Sequence, residues 1–245
     1  MGRLTHDLSQ ACKVADTHLW DAHGRSASGD FRGTWPGRLV FPKYHGERTG
    51  PLRVSEQEAR FAFVDGLSSG TFLYAAEAPT SKLFQFTGNK GLSAKADLAL
   101  YAQDGQRTCN VEFKAKGVSP AAKSHFPIYK DFQKLLREPV WGLWFHLLES
   151  VNNSTISGLL KVMADEISNV QRGYAGDIES PGLTVHVCVL QHQFSLHKDL
   201  ASAPDGGVEM EALGQQLSVD LLVSKSKLRK VEELNGWELH QYGRP

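Results

Sequence analysis

Apolar and polar side chains alternate along two short stretches that flank Asp104-Gly105, one on each side. Alternation with a period of two residues is typical of a strand that buries one face, and an Asp-Gly pair between two such stretches predicts a hairpin. A two-residue turn at this pair places Leu98 opposite Val111 and Leu100 opposite Cys109. The apolar side chains then share one face, and the other face carries Lys95, Asp97, Asn110, Glu112, Lys114 and Lys116.

Asp97 and Glu112 become directly opposite neighbours in this register, with Cβ atoms about 4.5–5.5 Å apart. Two carboxylates at this spacing repel unless a cation or a proton lies between them. Mg²⁺ is commonly held by one or two carboxylates plus substrate phosphate oxygens, and Lys114 on the same face could orient or deprotonate a water. This chemistry is metal-assisted phosphodiester hydrolysis. The alternative is a hairpin with a solvated charged face.

The remaining apolar periodicity predicts four helices and further strands. One helix, over 55–67, begins with a Ser-x-x-Glu capping box that gives Glu58 a structural role. Glu56 is a first-turn acid that the helix dipole favours, and either glutamate could also reach a metal site. The other predicted helices cover 5–22, 126–138 and 155–172. Predicted strands cover 71–78 (ended by Pro79, with Glu77 as a weaker acid candidate), 140–148, 183–190, 217–223 and 236–242, and a short run over 82–87 alternates as well.

Composition limits the possible functions. The chain has 245 residues, 41% of them hydrophobic, with a formal net charge of zero. A protein that coats polyanions would be more basic, so any nucleic-acid surface must be a local patch. Three separated cysteines without a Cys-x-x-Cys pair favour a reducing compartment. Because no signal peptide and no apolar run of about 20 residues is visible, we expect a cytoplasmic protein without a membrane partner.

Two groups of basic residues are candidates for holding a nucleic-acid backbone. Lys43, Arg48 and Arg53 lie in a polar segment after a loop rich in Gly, Ser and Pro. Lys130 and Lys134 lie one turn apart on the polar face of the predicted helix over 126–138. The alternative for each group is an ordinary solvated surface.

The predicted order of elements between residues 55 and 150 is helix, three strands, helix, strand. Asp97 falls on the second strand and Glu112-Phe113-Lys114 on the third. In this order the chain resembles the PD-(D/E)XK nuclease superfamily, the fold of restriction endonucleases and of many repair and phage nucleases. The resemblance implies an α/β fold with a restriction-endonuclease-like core, in which helices flank a mixed central β-sheet. The chain departs from the superfamily at the proline before the aspartate, which is Ala96 here.

The resemblance also implies roles for individual residues and a cofactor, Mg²⁺ or Mn²⁺. Asp97, Glu112 and the main-chain carbonyl of Phe113 would bind the metal. Lys114 would position the attacking water, and Glu58, in preference to Glu56, would complete the site from the first helix.

We therefore expect a metal-dependent nuclease that hydrolyses phosphodiester bonds in nucleic acid, with DNA favoured over RNA. The nuclease-like core would span 51–200, between an N-terminal helical and loop extension at 1–50 and a C-terminal β extension at 201–245. Cutting both strands of a duplex would favour a homodimer. The alternative is a catalytically inactive protein of the same fold, serving as a nucleic-acid- or protein-binding subunit of a larger complex.

Overall fold

The computed structural model describes residues 2–29, 39–43, 52–67, 71–84, 92–115, 126–149, 179–190, 218–223, 229–234 and 237–241. Within these ranges the helices are α1 (Gly2–Ser28), α2 (Glu56–Gly66) and α3 (Phe126–Arg137). The strands are β1 (Leu73–Phe84), β2 (Leu92–Tyr101), β3 (Arg107–Ala115), β4 (Trp141–Leu148), β5 (Leu183–Val189), β6 (Ser218–Val223), β7 (Arg229–Leu234) and β8 (Trp237–Gln241). The predicted helix over 155–172 lies outside the described residues, as do Arg48 and Lys116.

The strands form one mixed sheet in the order β1-β2-β3-β4-β5-β6-β8-β7. β1, β2 and β3 are antiparallel neighbours, whereas β3, β4 and β5 run parallel to one another. β6 returns antiparallel to β5, and β8 and β7 follow it at the far edge. The predicted mixed sheet with flanking helices is therefore confirmed, and so is the order helix, three strands, helix, strand.

The hairpin of β2 and β3 has the predicted register as far as the pair Leu98 and Val111, whereas the predicted direct pairing of Asp97 with Glu112 is not formed because the strands separate there. Leu98 pairs with Val111, and Leu100 pairs with Cys109. These four side chains are all buried on one face, as the alternation predicts.

The turn of this hairpin is longer than predicted, yet Leu98 and Leu100 keep their predicted partners. Ala102 N–H donates to Gln106 O at 2.8 Å, which makes the loop one residue longer than two. Gly105 has φ +82°, a left-handed conformation that glycine adopts without a steric penalty. A bulge then inserts Thr108 as an extra residue on β3 and restores the pairing beyond it.

Pro79 does not end β1, contrary to the prediction. β1 continues to Phe84 with an irregularity between Pro79 and Leu83. The strand tolerates proline because it lies at the edge of the sheet, where one side needs no hydrogen-bonded neighbour. The Glu138 carboxylate accepts hydrogen bonds from the main-chain N–H groups of Ser81 and Lys82 at 3.0 and 2.9 Å, which satisfies the backbone at the irregularity.

Helices cover both faces of the sheet. On one face the ring of Phe63 in α2 lies 5.7 Å from that of Phe113 and 6.1 Å from that of Phe145. On the other face Phe132 in α3 lies 4.7 Å from Trp144. Every residue of β4 and β5 is buried, as expected for parallel strands covered on both sides.

α1 is longer than predicted and belongs to the same hydrophobic core as α2 and β2 to β5. Its Asp16 is buried and lies 2.9 Å from the ring nitrogen Nε2 of His186 in β5. Burial of a charged group is tolerated when it is paired in this way. None of the helices in the described ranges has the length and apolar character needed to cross a bilayer.

Candidate active site

The strands β2 and β3 separate beyond the pair Leu98 and Val111, so that Asp97 and Glu112 lie on the two sides of a gap. Pairing between the two strands runs from the turn as far as Leu98 and Val111. Beyond that point β2 pairs with β1, and β3 pairs with β4. The Asp97 carboxylate takes the place of the missing strand partner, because Phe113 N–H donates to its Oδ2 at 2.9 Å.

Glu112 lies on the β3 side of this gap and is almost completely buried, with 1% of its surface exposed. Its Oε2 accepts a hydrogen bond from the Lys134 ammonium at 2.7 Å. Its Oε1 is buried and has no hydrogen-bond partner among the described residues. Burial raises the pKa of Glu112 well above its usual value, and repulsion from Asp131 and Asp97 adds to this, while Lys134 opposes it.

Lys134 is buried in this site, whereas its position on the polar face of the predicted helix suggested a nucleic-acid contact or, alternatively, a solvated lysine. The residue is only 9% exposed. Its ammonium contacts Asp131 Oδ1 at 2.9 Å and the main-chain oxygen of Lys95 at 3.1 Å, in addition to Glu112. Burial lowers the pKa of Lys134, but attraction to Glu112 and Asp131 outweighs burial and raises it overall. Lys134 therefore stays charged, and its contacts leave it poorly placed to hold a nucleic-acid backbone.

Lys114 is the second ammonium of the site. It lies 2.9 Å from Asp131 Oδ2 and 3.6 Å from Glu56 Oε1. Burial lowers the pKa of Lys114, but the nearby carboxylates of Asp131, Glu56 and Asp97 raise it overall. An ammonium that is held protonated can orient a water or a phosphate oxygen, but it is a poor base.

The two glutamates of α2 have different surroundings. Glu58 forms the predicted capping box with Ser55, and its Oε1 lies 3.2 Å from Nη2 of Arg53. Glu56 instead points towards Lys114. These contacts favour Glu56 over Glu58 as the helix acid of the site.

Arg60 of α2 links the gap to the edge strand. Its Nη2 lies 3.4 Å from Asp97 Oδ1 and 3.3 Å from Glu77 Oε1. Glu77 has φ +52°, a left-handed conformation that costs a non-glycine residue on the order of 1 kcal/mol. The register of β1 with β2 places Glu77 next to Asp97, so acidic residues on two adjacent strands lie beside the gap.

The five carboxylates and three cations around the gap form what we call the carboxylate cluster. Sequence reasoning missed two of its members, Asp131 and Arg60. The i, i+3 spacing of Asp131 and Lys134 was the available signal for an ion pair on one helix. With all groups ionised, the cluster carries two more negative than positive charges, since five carboxylates meet three cations: Glu56, Glu77, Asp97, Glu112 and Asp131 against Arg60, Lys114 and Lys134.

The other predicted nucleic-acid contacts are only partly described. Lys43 forms an isolated bridge with Leu52, and Arg53 N–H donates to Pro42 O at 2.6 Å, so the two basic residues lie on neighbouring stretches. Lys130 lies on α3 and is half-buried. Lys43 and Arg53 remain candidates for a phosphate-contacting patch.

The donor chemistry of the cluster suits a hard divalent cation. Asp97 and Glu112 offer carboxylate oxygens, and the buried Glu112 Oε1 lacks any partner in the described part of the chain. Within the described residues no group of three or more His, Cys, Asp or Glu side chains is arranged to hold a metal ion. Two carboxylates are nevertheless a sufficient protein contribution for Mg²⁺ when water and substrate phosphate supply the remaining ligands.

A second catalytic motif is present in the chain but lies in the wrong context. Gly66-Leu67-Ser68-Ser69-Gly70 matches the G-x-S-x-G pattern of serine hydrolases. That pattern requires a strand followed by a helix, whereas here it follows α2 and precedes β1. Residues 68–70 lie outside the described ranges.

No protein-family model matches the chain, no curated protein matches it, and none of the solved structures matches it. Its function must therefore be inferred from the geometry of the carboxylate cluster.

Proposed function

We propose that this chain is a Mg²⁺- or Mn²⁺-dependent nuclease with a restriction-endonuclease-like core, acting on nucleic acid with DNA favoured over RNA. One observation carries the proposal. The strands β2 and β3 separate at Asp97 and Glu112, both carboxylates and Lys114 lie close enough to interact electrostatically, and the buried Glu112 Oε1 has no partner among the described residues. A buried unsatisfied acceptor costs about 1–3 kcal/mol or more when charged, and a cation bound at Glu112 would remove that cost.

The residues of the carboxylate cluster would have different roles in hydrolysis. Asp97 and Glu112 would hold the cation, which when bound lowers the pKa of a water and neutralises charge on the phosphate. Lys114 would orient the attacking water through its N–H groups, since its raised pKa keeps it protonated. Arg60, next to Asp97, would help to stabilise negative charge that develops on the phosphate.

A catalytically inactive binding subunit is the second candidate. It is favoured by the fact that Lys114, Lys134 and Arg60 already contact carboxylates, so the cluster would be a set of structural ion pairs. In that case Lys43 and Arg53 would provide the surface for nucleic acid. Binding would persist in EDTA, and no metal would support cleavage.

Cleavage by two amide variants separates these candidates. Wild type, Asp97→Asn and Asp104→Asn would be incubated with supercoiled plasmid, single-stranded DNA and RNA, in Mg²⁺, Mn²⁺ or EDTA. Asp104 is a matched control because it lies on the same hairpin and is exposed in its turn. We expect wild type and Asp104→Asn to cut only with metal, and Asp97→Asn to lose about 100-fold or more of the rate. Cleavage by Asp97→Asn at the wild-type rate would refute the proposal.

A further inference from the structure

The ammonium of Lys134 lies in a cage of three oxygens that come from three different elements. Glu112 Oε2 of β3 is 2.7 Å away, Asp131 Oδ1 of α3 is 2.9 Å away, and the main-chain oxygen of Lys95 in β2 is 3.1 Å away. An ammonium has three N–H donors, so each donor has one acceptor. Carboxylate and main-chain oxygens are also the ligands that hard metal ions prefer.

The position of this ammonium is fixed. Most lysine side chains lose about 2 kcal/mol of rotamer entropy when they are held in one geometry, and a buried ammonium also loses its hydration. Lys134 is nevertheless 9% exposed and bridges the gap between the separated strands. The Lys134 ammonium thus places a cation in the gap between β2 and β3.

The second oxygen of Glu112 points to a further cation. Oε2 is occupied by Lys134, whereas Oε1 is buried without a partner in the described residues. The carboxylate therefore meets a cation at one oxygen and has the other available for a second cation. Carboxylates that bridge two cations in this way are a feature of two-metal phosphodiesterase sites, in which the ions lie about 3.5–4 Å apart.

We propose that the Lys134 ammonium is a built-in second cation of the site, so that the chain binds one divalent ion, at Asp97 and Glu112, instead of two. This inference rests on the proposed function, because it concerns the number of ions that the nuclease site takes. Lys134 supplies a single positive charge and three directed N–H donors at the place of the second ion. Asp131 holds both ammonium groups of the site, one on each oxygen.

The inference predicts a gain of metal binding when Lys134 is removed. Lys134→Met would leave Glu112 Oε2, Asp131 and the Lys95 carbonyl oxygen around an empty position suited to a hard cation. In isothermal titrations of Mn²⁺ we expect one ion per chain for wild type and two for Lys134→Met. Asp131→Asn in the Lys134→Met background should return the count to one.

Controls make the count specific to the cage. Lys13→Met removes an exposed lysine of α1 and should leave the count at one. Lys134→Gln is a second neutral variant in case Lys134→Met does not fold, which circular dichroism would show. For wild type alone, the anomalous signal of Mn²⁺ in crystals should place the ion at Glu112 Oε1 with the Lys134 ammonium still at Oε2.

Each outcome of the titrations supports or overturns the built-in cation, the metal site of the proposed nuclease, or both. Two ions in wild type, an ion that displaces Lys134, or an unchanged count in both folded neutral variants would overturn the built-in cation. No ion in wild type but one in Lys134→Met would support the cage and refute the metal site of the proposed nuclease. No ion in either protein would overturn both.

Discussion

The hydrogen bond from Phe113 N–H to Asp97 predicts that alanine and asparagine at position 97 have different effects on stability. Both substitutions remove the charge that the proposed nuclease site needs. Only alanine removes the acceptor that replaces the missing strand partner at 2.9 Å. Asparagine keeps a side-chain oxygen at that place.

The size of the difference follows from the burial of the groups. Phe113 is completely buried, and leaving its N–H without an acceptor costs about 1–3 kcal/mol. The ion pair between Asp97 and Arg60 is lost in both variants, and at 3.4 Å with partial exposure it contributes at most about 1 kcal/mol. Relief of repulsion with Glu112 acts in the opposite direction in both variants. We therefore expect Asp97→Ala to be about 1–3 kcal/mol less stable than Asp97→Asn.

Urea denaturation followed by circular dichroism, in buffer with EDTA, measures this difference without a contribution from bound metal. In a chain of this size, the corresponding difference in Tm is about 2–4 °C for each kcal/mol. Equal stability of the two variants, within about 0.5 kcal/mol, would refute the role assigned to Asp97 at the strand gap. If Asp97→Asn is stable and inactive, its inactivity reports on the chemistry of the site and not on the fold.

Two further predictions concern Glu112 and the packing of α3. The raised pKa of Glu112 means that the folded state binds its proton more tightly than the unfolded state, so wild type should lose stability as pH rises from the ordinary glutamate range through the raised pKa. Denaturation at several pH values should show the free energy of unfolding of Glu112→Gln rising relative to that of wild type by up to about 1.4 kcal/mol per pH unit in this window. A difference that does not change with pH would contradict the raised pKa of Glu112. A Cβ at Gly142 would lie 2.9 Å from a methyl carbon of Leu183 and 3.1 Å from Leu135 Cβ in α3, so Gly142→Ala should destabilise the fold by about 1–3 kcal/mol in the same assay. Gly24→Ala in α1 is the control, because its Cβ would meet no atom within 4 Å and should stabilise the helix by about 0.5–1 kcal/mol; equal effects of the two substitutions would show that α3 does not approach the sheet this closely.

Local patterns determined much of the sheet. Alternation with period two on both sides of Asp104-Gly105 was sufficient to predict the register of β2 and β3, because a shift by one residue would move every apolar side chain to the wrong face. This requirement was strong enough that a longer turn was compensated by a bulge at Thr108. The apolar run of β4 likewise predicted a strand buried on both faces.

Interactions between elements required the tertiary structure. Helical periodicity placed Lys134 on the polar face of its helix, as a nucleic-acid contact or a solvated lysine, because the period describes one helix and contains no information on which strands lie beside it. The structure places the gap between β2 and β3 next to α3, so that Lys134 and Asp131 are buried against Glu112. The choice between Glu56 and Glu58 also depended on where the first turn of α2 meets Lys114. The sequence by itself determined which residues could form the acidic pair. Only the tertiary structure decided which cations contact it, because these ion pairs join residues that are far apart in the sequence and become neighbours only when the chain folds.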